Sequence, residues 1–175
     1  TLRNGKGEYG AGMYYGVATN CTFTKNAASM EGGGLYLGSA TNCRFVGNSA
    51  SGGGGGAWSG TAVNCTFTQN EGAGMCYGAA TNCTFTQNES AGMCYGTAVN
   101  SIIWGNSPSD IVETEVSRCC LPLVTAGPGN IVGNPGFVNP RAGDLRLRAD
   151  SPCVDAAAAY LAPATDLLDR ARPQG

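Results

Sequence analysis

The word NCTFTQN, spelled by residues 64–70, returns letter for letter at residues 82–88, and NCTFTKN (20–26) and NCRFVGN (42–48) are near copies. The leading asparagines, Asn20, Asn42, Asn64, Asn82 and Asn100, are spaced by 22, 22, 18 and 18 residues. A second fixed point in each unit is a glycine that opens a short apolar run: Gly12, Gly34, Gly56, Gly74 and Gly92. It precedes the next leading asparagine by 8 residues every time, whereas the trailing asparagine precedes the next such glycine by 8, 8, 4 and 4. Length therefore varies at one place only. That is the constraint of a solenoid, in which stacked parts cannot change length and one loop can. Counting back by 22 from Asn26 and Gly34 reaches Asn4 and Gly12, so the chain is expected to begin inside a repeat.

Units of 18–22 residues are too short for paired-helix repeats, and Gly, Asn and Thr are poor helix formers. Within CTFT the side chains alternate, Cys and Phe to one face and Thr to the other, which is the period of a strand. A second short strand follows each glycine (Met13–Tyr15, Leu35–Leu37, Ala57–Ser59, Met75–Tyr77, Met93–Tyr95), and Gly16, Gly38, Gly60, Gly78 and Gly96 are expected to close it. Strand, turn, strand, turn and a variable loop predict one coil of an all-β parallel β-helix. The coils occupy residues 1–107, and terminal rungs with a non-repeating C-terminal cap occupy residues 108–175.

Composition narrows the partners. Charged residues make up 13% of the chain and the net charge is −2, so there is no electrostatic ground for nucleic acid or an anionic membrane. No run approaches the roughly 20 apolar residues of a membrane helix. Histidine is absent, which removes the commonest general base and zinc ligand. No cofactor is expected.

The FxxN words FTKN, FVGN and FTQN, paired with glycine-apolar words such as GGGLYL, resemble the repeats of polymorphic outer-membrane proteins. The wider class that the chain resembles is the bacterial right-handed parallel β-helix repeat proteins, a pectin-lyase-like solenoid. The tail, GPGNIVGNPGFVNPRAGDLRLRADSPCVDA followed by ATDLLDRARPQG, looks like the C-terminal end of secreted β-helix proteins of the choice-of-anchor type. That resemblance implies a last rung, a Ser-Pro-Cys-apolar-Asp turn and an Arg-Pro segment that close the solenoid. It also implies an extracellular or cell-surface location.

Each recurring residue then has an expected place. Cys21, Cys43, Cys65 and Cys83 form an inward ladder of small apolar side chains. A column of parallel side chains makes no tetrahedral zinc cage, and parallel Cβ vectors suit inter-rung disulfides poorly. Phe23, Phe45, Phe67 and Phe85, with Ile103, form the apolar ladder two residues on. Asn26, Asn48, Asn70 and Asn88, like the leading asparagines, flank the strand, where Asn tolerates left-handed turns and stacked amides bond along the column. Threonines at 22/24, 66/68 and 84/86 point outward, the kind of array seen on ice-binding solenoids, although Arg44 and Val46 interrupt it and Thr is a favoured outward strand residue anyway.

Four groups are left over. Tyr14, Tyr36 and Trp58 form a column that faces outward if Leu35 and Leu37 face inward; an exposed strip of this kind suits sugar rings or a protein partner. That column becomes Cys76 and Cys94, for which the sequence supplies no role. Glu71 and Glu89 are stacked carboxylates beside the variable loop. Cys119, Cys120 and Cys153 lie outside the ladder, and either of the adjacent pair bonded to Cys153 would staple the cap in an oxidising setting. A second acidic group, Asp110, Glu113 and Glu115, places Glu113 and Glu115 on one face if IVETEV is a strand.

Parallel β-helices host polysaccharide lyases and hydrolases, which need a carboxylate pair or acidic calcium ligands with a base. Residues 1–109 contain no Asp, and no acid–base pair emerges. The expected function is a secreted or surface structural and adhesive β-helix, non-catalytic in this segment, with a glycan or cell-surface protein as partner. The alternative is the carbohydrate-binding part of a polysaccharide lyase or hydrolase, and an ice-binding solenoid ranks third.

Overall fold

The computed structural model describes residues 1–124, 126–158 and 164–165. The Arg-Pro segment expected to close the solenoid lies outside them. The chain is a parallel β-helix. Its first sheet contains eight parallel strands in sequence order, from Leu2–Arg3 through Thr22–Thr24, Arg44–Val46, Thr66–Thr68, Thr84–Thr86, Ile102–Ile103 and Cys120–Leu121 to Ile131–Val132. Register is exact from rung to rung, with Phe23 opposite Phe45, Phe45 opposite Phe67 and Phe67 opposite Phe85. Parallel strands stand about 4.8 Å apart. In-register phenylalanines must therefore stack, and their ring centroids lie 4.6, 4.5 and 4.7 Å apart with planes within 7° of parallel.

The second sheet is built from Met13–Thr19, Leu35–Thr41, Ala57–Val63 and Met75–Thr81, followed by paired shorter strands up to Glu115–Ser117. Here the glycines do not close the strand as expected. The chain bends at the residue before each of them and runs on. Tyr15, Leu37, Ser59, Tyr77, Tyr95 and Glu113 all hold φ between 41° and 58°, one per turn. The bend lets a single strand form two sides of the coil, and Ala18, Ala40, Ala62, Ala80 and Ala98 on its far limb line the core. It also corrects the reading of IVETEV. Glu113 occupies the bend between Ser109–Val112 and Glu115–Ser117, so Glu113 and Glu115 do not share a strand face.

The variable segment is a strand where it is long. Lys6–Tyr9, Ala27–Glu31 and Ser49–Ala50 form a third parallel sheet. Where the interval drops to 4 residues, pairing shrinks to a single bridge between Ser49 and Glu71. Four residues cannot leave a corner, lie extended and turn again.

The two asparagine columns divide the work that the sequence assigns to both. The leading asparagines, Asn20, Asn42, Asn64, Asn82 and Asn100, take the left-handed conformation, φ 51–55°. At the trailing corner that conformation falls on the preceding residue, Lys25, Gly47, Gln69, Gln87 or Gly105. The trailing asparagine is left free to turn inward, where Asn26, Asn48, Asn70 and Asn88 are buried. Asn26 Oδ1 accepts from Gly5 N–H, and each later one accepts at Oδ1 from both the backbone N–H and the amide of the asparagine one coil earlier, as Asn70 does from Asn48 at 3.0 and 3.1 Å. Each amide also donates to a backbone carbonyl one coil back, that of Leu2 for Asn26 and of a phenylalanine for the others, as Asn70 does to Phe45 at 3.1 Å. Buried amides are costly unless every group is paired, and here the column pairs them all.

The cysteine column behaves likewise. Cys43, Cys65 and Cys83 are buried and Cys21 is half-buried. Each buried sulfur accepts from the backbone N–H of the cysteine one coil earlier, as Cys65 does from Cys43 at 3.4 Å, and every thiol of the column donates to a backbone carbonyl, as Cys65 does to Val63 at 3.2 Å. The ladder is therefore more than apolar filler. Ser101 takes the cysteine's place with the same bonds: Cys83 N–H to its Oγ at 3.0 Å, and Oγ to Val99 O at 2.8 Å. Cys119, expected outside the ladder, is its next rung, donating to Ala98 O and Ser117 O.

Candidate functional site

Two surfaces stand out from this self-satisfied framework. On the outside of the bend, Leu35, Met75 and Met93 point into the core and the neighbouring tyrosines point out. Tyr14 and Tyr36 stack at 5.3 Å with planes 10° apart, Tyr9 leans on Tyr36 at 5.0 Å, and Tyr15 meets Tyr14 edge-on at 4.8 Å. Trp58 shares their register but not their stack. Its ring turns to Tyr77, 4.7 Å away, and Tyr77 stacks on Tyr95 at 5.0 Å. The strip thus changes column partway along, from the strand residue to the bend residue. Tyr77 and Tyr95 were not singled out by sequence reasoning, although the repeated GMCYG places them one period apart.

The change of column has a visible cause. Beyond Trp58 the strand position is occupied by Cys76 and Cys94, which form a disulfide across adjacent turns with Cα atoms 4.6 Å apart. Trp58, Ala73, Cys76, Ala91 and Cys94 form a small apolar cluster outside the main core. Strand residue Tyr14 and the bend residues Tyr15, Tyr77 and Tyr95 remain open, at 56%, 55%, 50% and 44% exposed. Because the rings of each stack cover one another, the strip presents ring edges and hydroxyls more than ring faces. Burial and, after it, the nearby Glu31 carboxylate push the Tyr36 phenol above its ordinary value. Glu71 and Glu89 are exposed one turn apart, each anchored by its backbone N–H to the asparagine carbonyl one coil back.

The second surface is a cleft of about 660 Å³ on the outer face of the first sheet. Its roof is an antiparallel hairpin, Phe137–Asn139 with Asp144–Leu147, folded back over the solenoid. Thr66, Thr68 and Thr84 form the floor, with the linked amides Gln69 and Gln87, 3.3 Å apart, along one side. Leu145, Leu147 and Phe137 contribute apolar walls. The charges in the roof are self-paired: Arg146 bonds both oxygens of Asp144, at 2.8 and 2.6 Å, and holds that carboxyl below its ordinary value. The threonine columns are therefore not an open flat array, as ice binding requires, since their central coils lie beneath the hairpin. Local alternation predicts that the threonines point outward; it carries no signal that residues some 70 positions later cover them.

Beside the cleft, the free thiols of Cys120 and Cys153 line one small cavity of about 170 Å³, and the Cys120 thiol donates to Gly133 O at 3.3 Å. Among the described residues, no group of three or more Cys, Asp or Glu side chains is placed to hold a metal ion.

Stacked parallel turns, buried polar and aromatic ladders and one variable segment define a parallel β-helix repeat protein. Residues 20–38, from the corner at Asn20 to just past the bend at Leu37, match the Chlamydia polymorphic membrane protein repeat, and this stretch contains the words FTKN and GGGLYL. Proteins carrying that repeat are associated with the outer membrane and cell surface. Comparison with curated proteins and with solved structures finds no match. Among the described residues no helix is long and apolar enough to cross a membrane.

Proposed function

We propose that this chain is a cell-surface structural and adhesive element, a stiff β-helix that carries the tyrosine strip to a protein partner and performs no catalysis itself. The observation that supports it is the strip: the stacked pairs Tyr14–Tyr36 and Tyr77–Tyr95 lie along one side of the solenoid, where edges and hydroxyls rather than open ring faces are on offer. Tyrosines of this kind give large contact area at low entropic cost. The recurring Asn, Cys and Phe residues are all engaged in coil-to-coil contacts, which fits a structural use for the repeat. The test is adherence of cells or beads displaying the full-length protein to a target cell layer. Replacing Tyr14, Tyr36, Tyr77 and Tyr95 together by Ser is expected to abolish adherence without changing the far-ultraviolet circular dichroism. Undiminished adherence overturns the reading. Loss of binding after glycosidase treatment of the target, but not after protease treatment, replaces the protein partner by a glycan.

The cleft supports a second reading, a carbohydrate-binding segment. Its floor offers hydroxyl and amide groups repeating at the inter-rung distance, with Arg44 beside Thr66 and apolar walls, a lining suited to a linear saccharide. Titration of the chain with an oligosaccharide panel, coupled to assays for lyase and hydrolase turnover, tests it. Turnover lost on Glu71→Gln or Glu89→Gln would reverse the order of the two readings.

A further inference from the structure

We infer that Cys120 and Cys153 are a redox-modification site whose disulfide, formed by exchange with an external disulfide, latches the hairpin roof to the solenoid.

Strand alternation separates the adjacent cysteines. Cys119 faces the core and its thiol is occupied by the carbonyls of Ala98 and Ser117, the bonds made by every ladder cysteine before it. Cys120 follows Ile102 in the outward column, on the side of the sheet that bears the cleft. There its thiol donates to Gly133 O at 3.3 Å, and its side chain and that of Cys153 line one cavity of about 170 Å³. Cys153 is held in place by its own turn: its backbone N–H donates to Ser151 Oγ at 3.0 Å, and that hydroxyl donates to Pro135 O at 2.6 Å. The chain leaves the solenoid at Gly133, whose N–H still bonds Leu121 O at 3.0 Å, and comes back to it at Cys153. Everything between these points, the hairpin included, is a flap whose two ends meet at Cys120. A bond from Cys120 to Cys153 closes the flap into a loop.

Two further observations bear on the chemistry. Cys76 and Cys94 are already joined, so the fold is compatible with an oxidising compartment. Interaction with the Cys120 side chain lowers the Cys153 thiol to about 7, while the same interaction and burial push Cys120 up. Cys153, the more exposed of the two, is thus the attacking thiolate near neutral pH. It attacks one sulfur of a small external disulfide and expels the first thiolate. Cys120 then gives up its proton and attacks the Cys153 sulfur of the mixed disulfide, expelling the second. The two protein thiols lose two electrons, the external disulfide gains them, and the two protons end on the two small thiols released.

The reduced full-length chain is treated with oxidised glutathione and digested with trypsin without reduction. Residues 119–141 are expected to be joined to residues 149–170 in the wild type and in C119S, with the link lost in C120S and C153S. A link that survives in C120S, or no link in the wild type, overturns the assignment. Hydrogen exchange then tests the latch: amides of residues 137–147 are expected to exchange more slowly in the oxidised than in the reduced wild type. Equal exchange in the two states overturns the latch even if the bond forms. Any effect on saccharide affinity rests on the second functional reading. A chain that is linked and protected but binds no saccharide refutes that reading and leaves the latch standing.

Discussion

Asn106 donates its backbone N–H and its side-chain amide to the same oxygen of Asp110, at 2.9 and 2.7 Å. This is where the asparagine ladder ends. The column begins with Gly5 N–H bonded to Asn26 Oδ1 at 2.9 Å, and its amides all run in one direction. Its last member therefore presents two donors and needs an acceptor. Aligned amide dipoles favour a negative group at the donor end, for the reason that helix N-termini do. Asp110, four residues further along the chain, supplies it.

The first prediction follows from that geometry. Asp110→Ala leaves both donors of a buried Asn106 without a partner and is expected to cost about 1–3 kcal/mol in denaturant unfolding. Asp110→Asn keeps an acceptor oxygen in place and is expected to be close to wild type. Burial, partly offset by the two bonds from Asn106, raises the Asp110 carboxyl above its ordinary 3.8. The folded chain therefore holds this proton more tightly than the unfolded chain. The associated stability is complete below the unfolded pKa and is lost as pH rises through the raised folded one. Asp110→Asn should lack that component, so the difference between it and wild type should grow in its favour between pH 3 and neutrality. A wild type that gains on the variant over this window would refute the sign.

The second concerns the cysteine ladder. Cys65 accepts from Cys43 N–H and donates to Val63 O, and Ser101 already makes the equivalent bonds in the same column. Cys65→Ser should therefore preserve the ladder, whereas Cys65→Ala leaves the buried Cys43 N–H unpaired. Chemical denaturation should rank the serine variant above the alanine variant by about 1 kcal/mol. If the column acts only as apolar packing, the order reverses.

These details show how far the sequence carries. The repeat arithmetic reaches the coil, the strand that faces the core with Cys and Phe, and the outward Thr, because each depends on spacing alone. Cys119 was within reach as well, 18 residues after Ser101, but Arg118 replaces the asparagine on which the copies align, so the count stops a rung early. The bend at Tyr15, Leu37, Ser59, Tyr77, Tyr95 and Glu113 was not legible. Nothing in those side chains favours positive φ; closure of the coil imposes it. The hairpin over the threonines was out of reach for another reason, since it is a contact between distant segments with no local periodicity to announce it.

A third prediction tests the invariant glycine that opens each apolar run. At Gly74 a Cβ would stand 2.7 Å from Gly92 O and 2.9 Å from Phe85 Cδ1. Neither neighbour can yield, since one is the backbone of the next coil and the other is a ring in the phenylalanine stack. Gly74→Ala is expected to cost about 1–3 kcal/mol and to disturb the stack seen by near-ultraviolet circular dichroism. Gly7→Ala is the control: its nearest contact would be an ordinary 3.6 Å, and a change within about 0.5 kcal/mol is expected. Equal effects at the two sites would show that crowding between coils is not what fixes the glycine.

The last prediction separates the thiols by reactivity. The ladder thiols of Cys43 and Cys65 are pushed well above their ordinary value, with burial and bonding to the next rung opposing ionisation. Cys153 moves the other way, to about 7, chiefly through its interaction with the Cys120 side chain. In protein reduced under native conditions, iodoacetamide should therefore label Cys153 first, with a rate that rises as pH passes through about 7. Cys43 and Cys65 should resist until the chain is unfolded, since the thiolate is the reacting species. Cys120→Ala removes the interaction that lowers Cys153, and the midpoint of its labelling profile should then move up toward the ordinary thiol value of 9.0. Ladder thiols that react as fast as Cys153, or a midpoint indifferent to Cys120, would refute the assignment of Cys153 as the nucleophile of the pair.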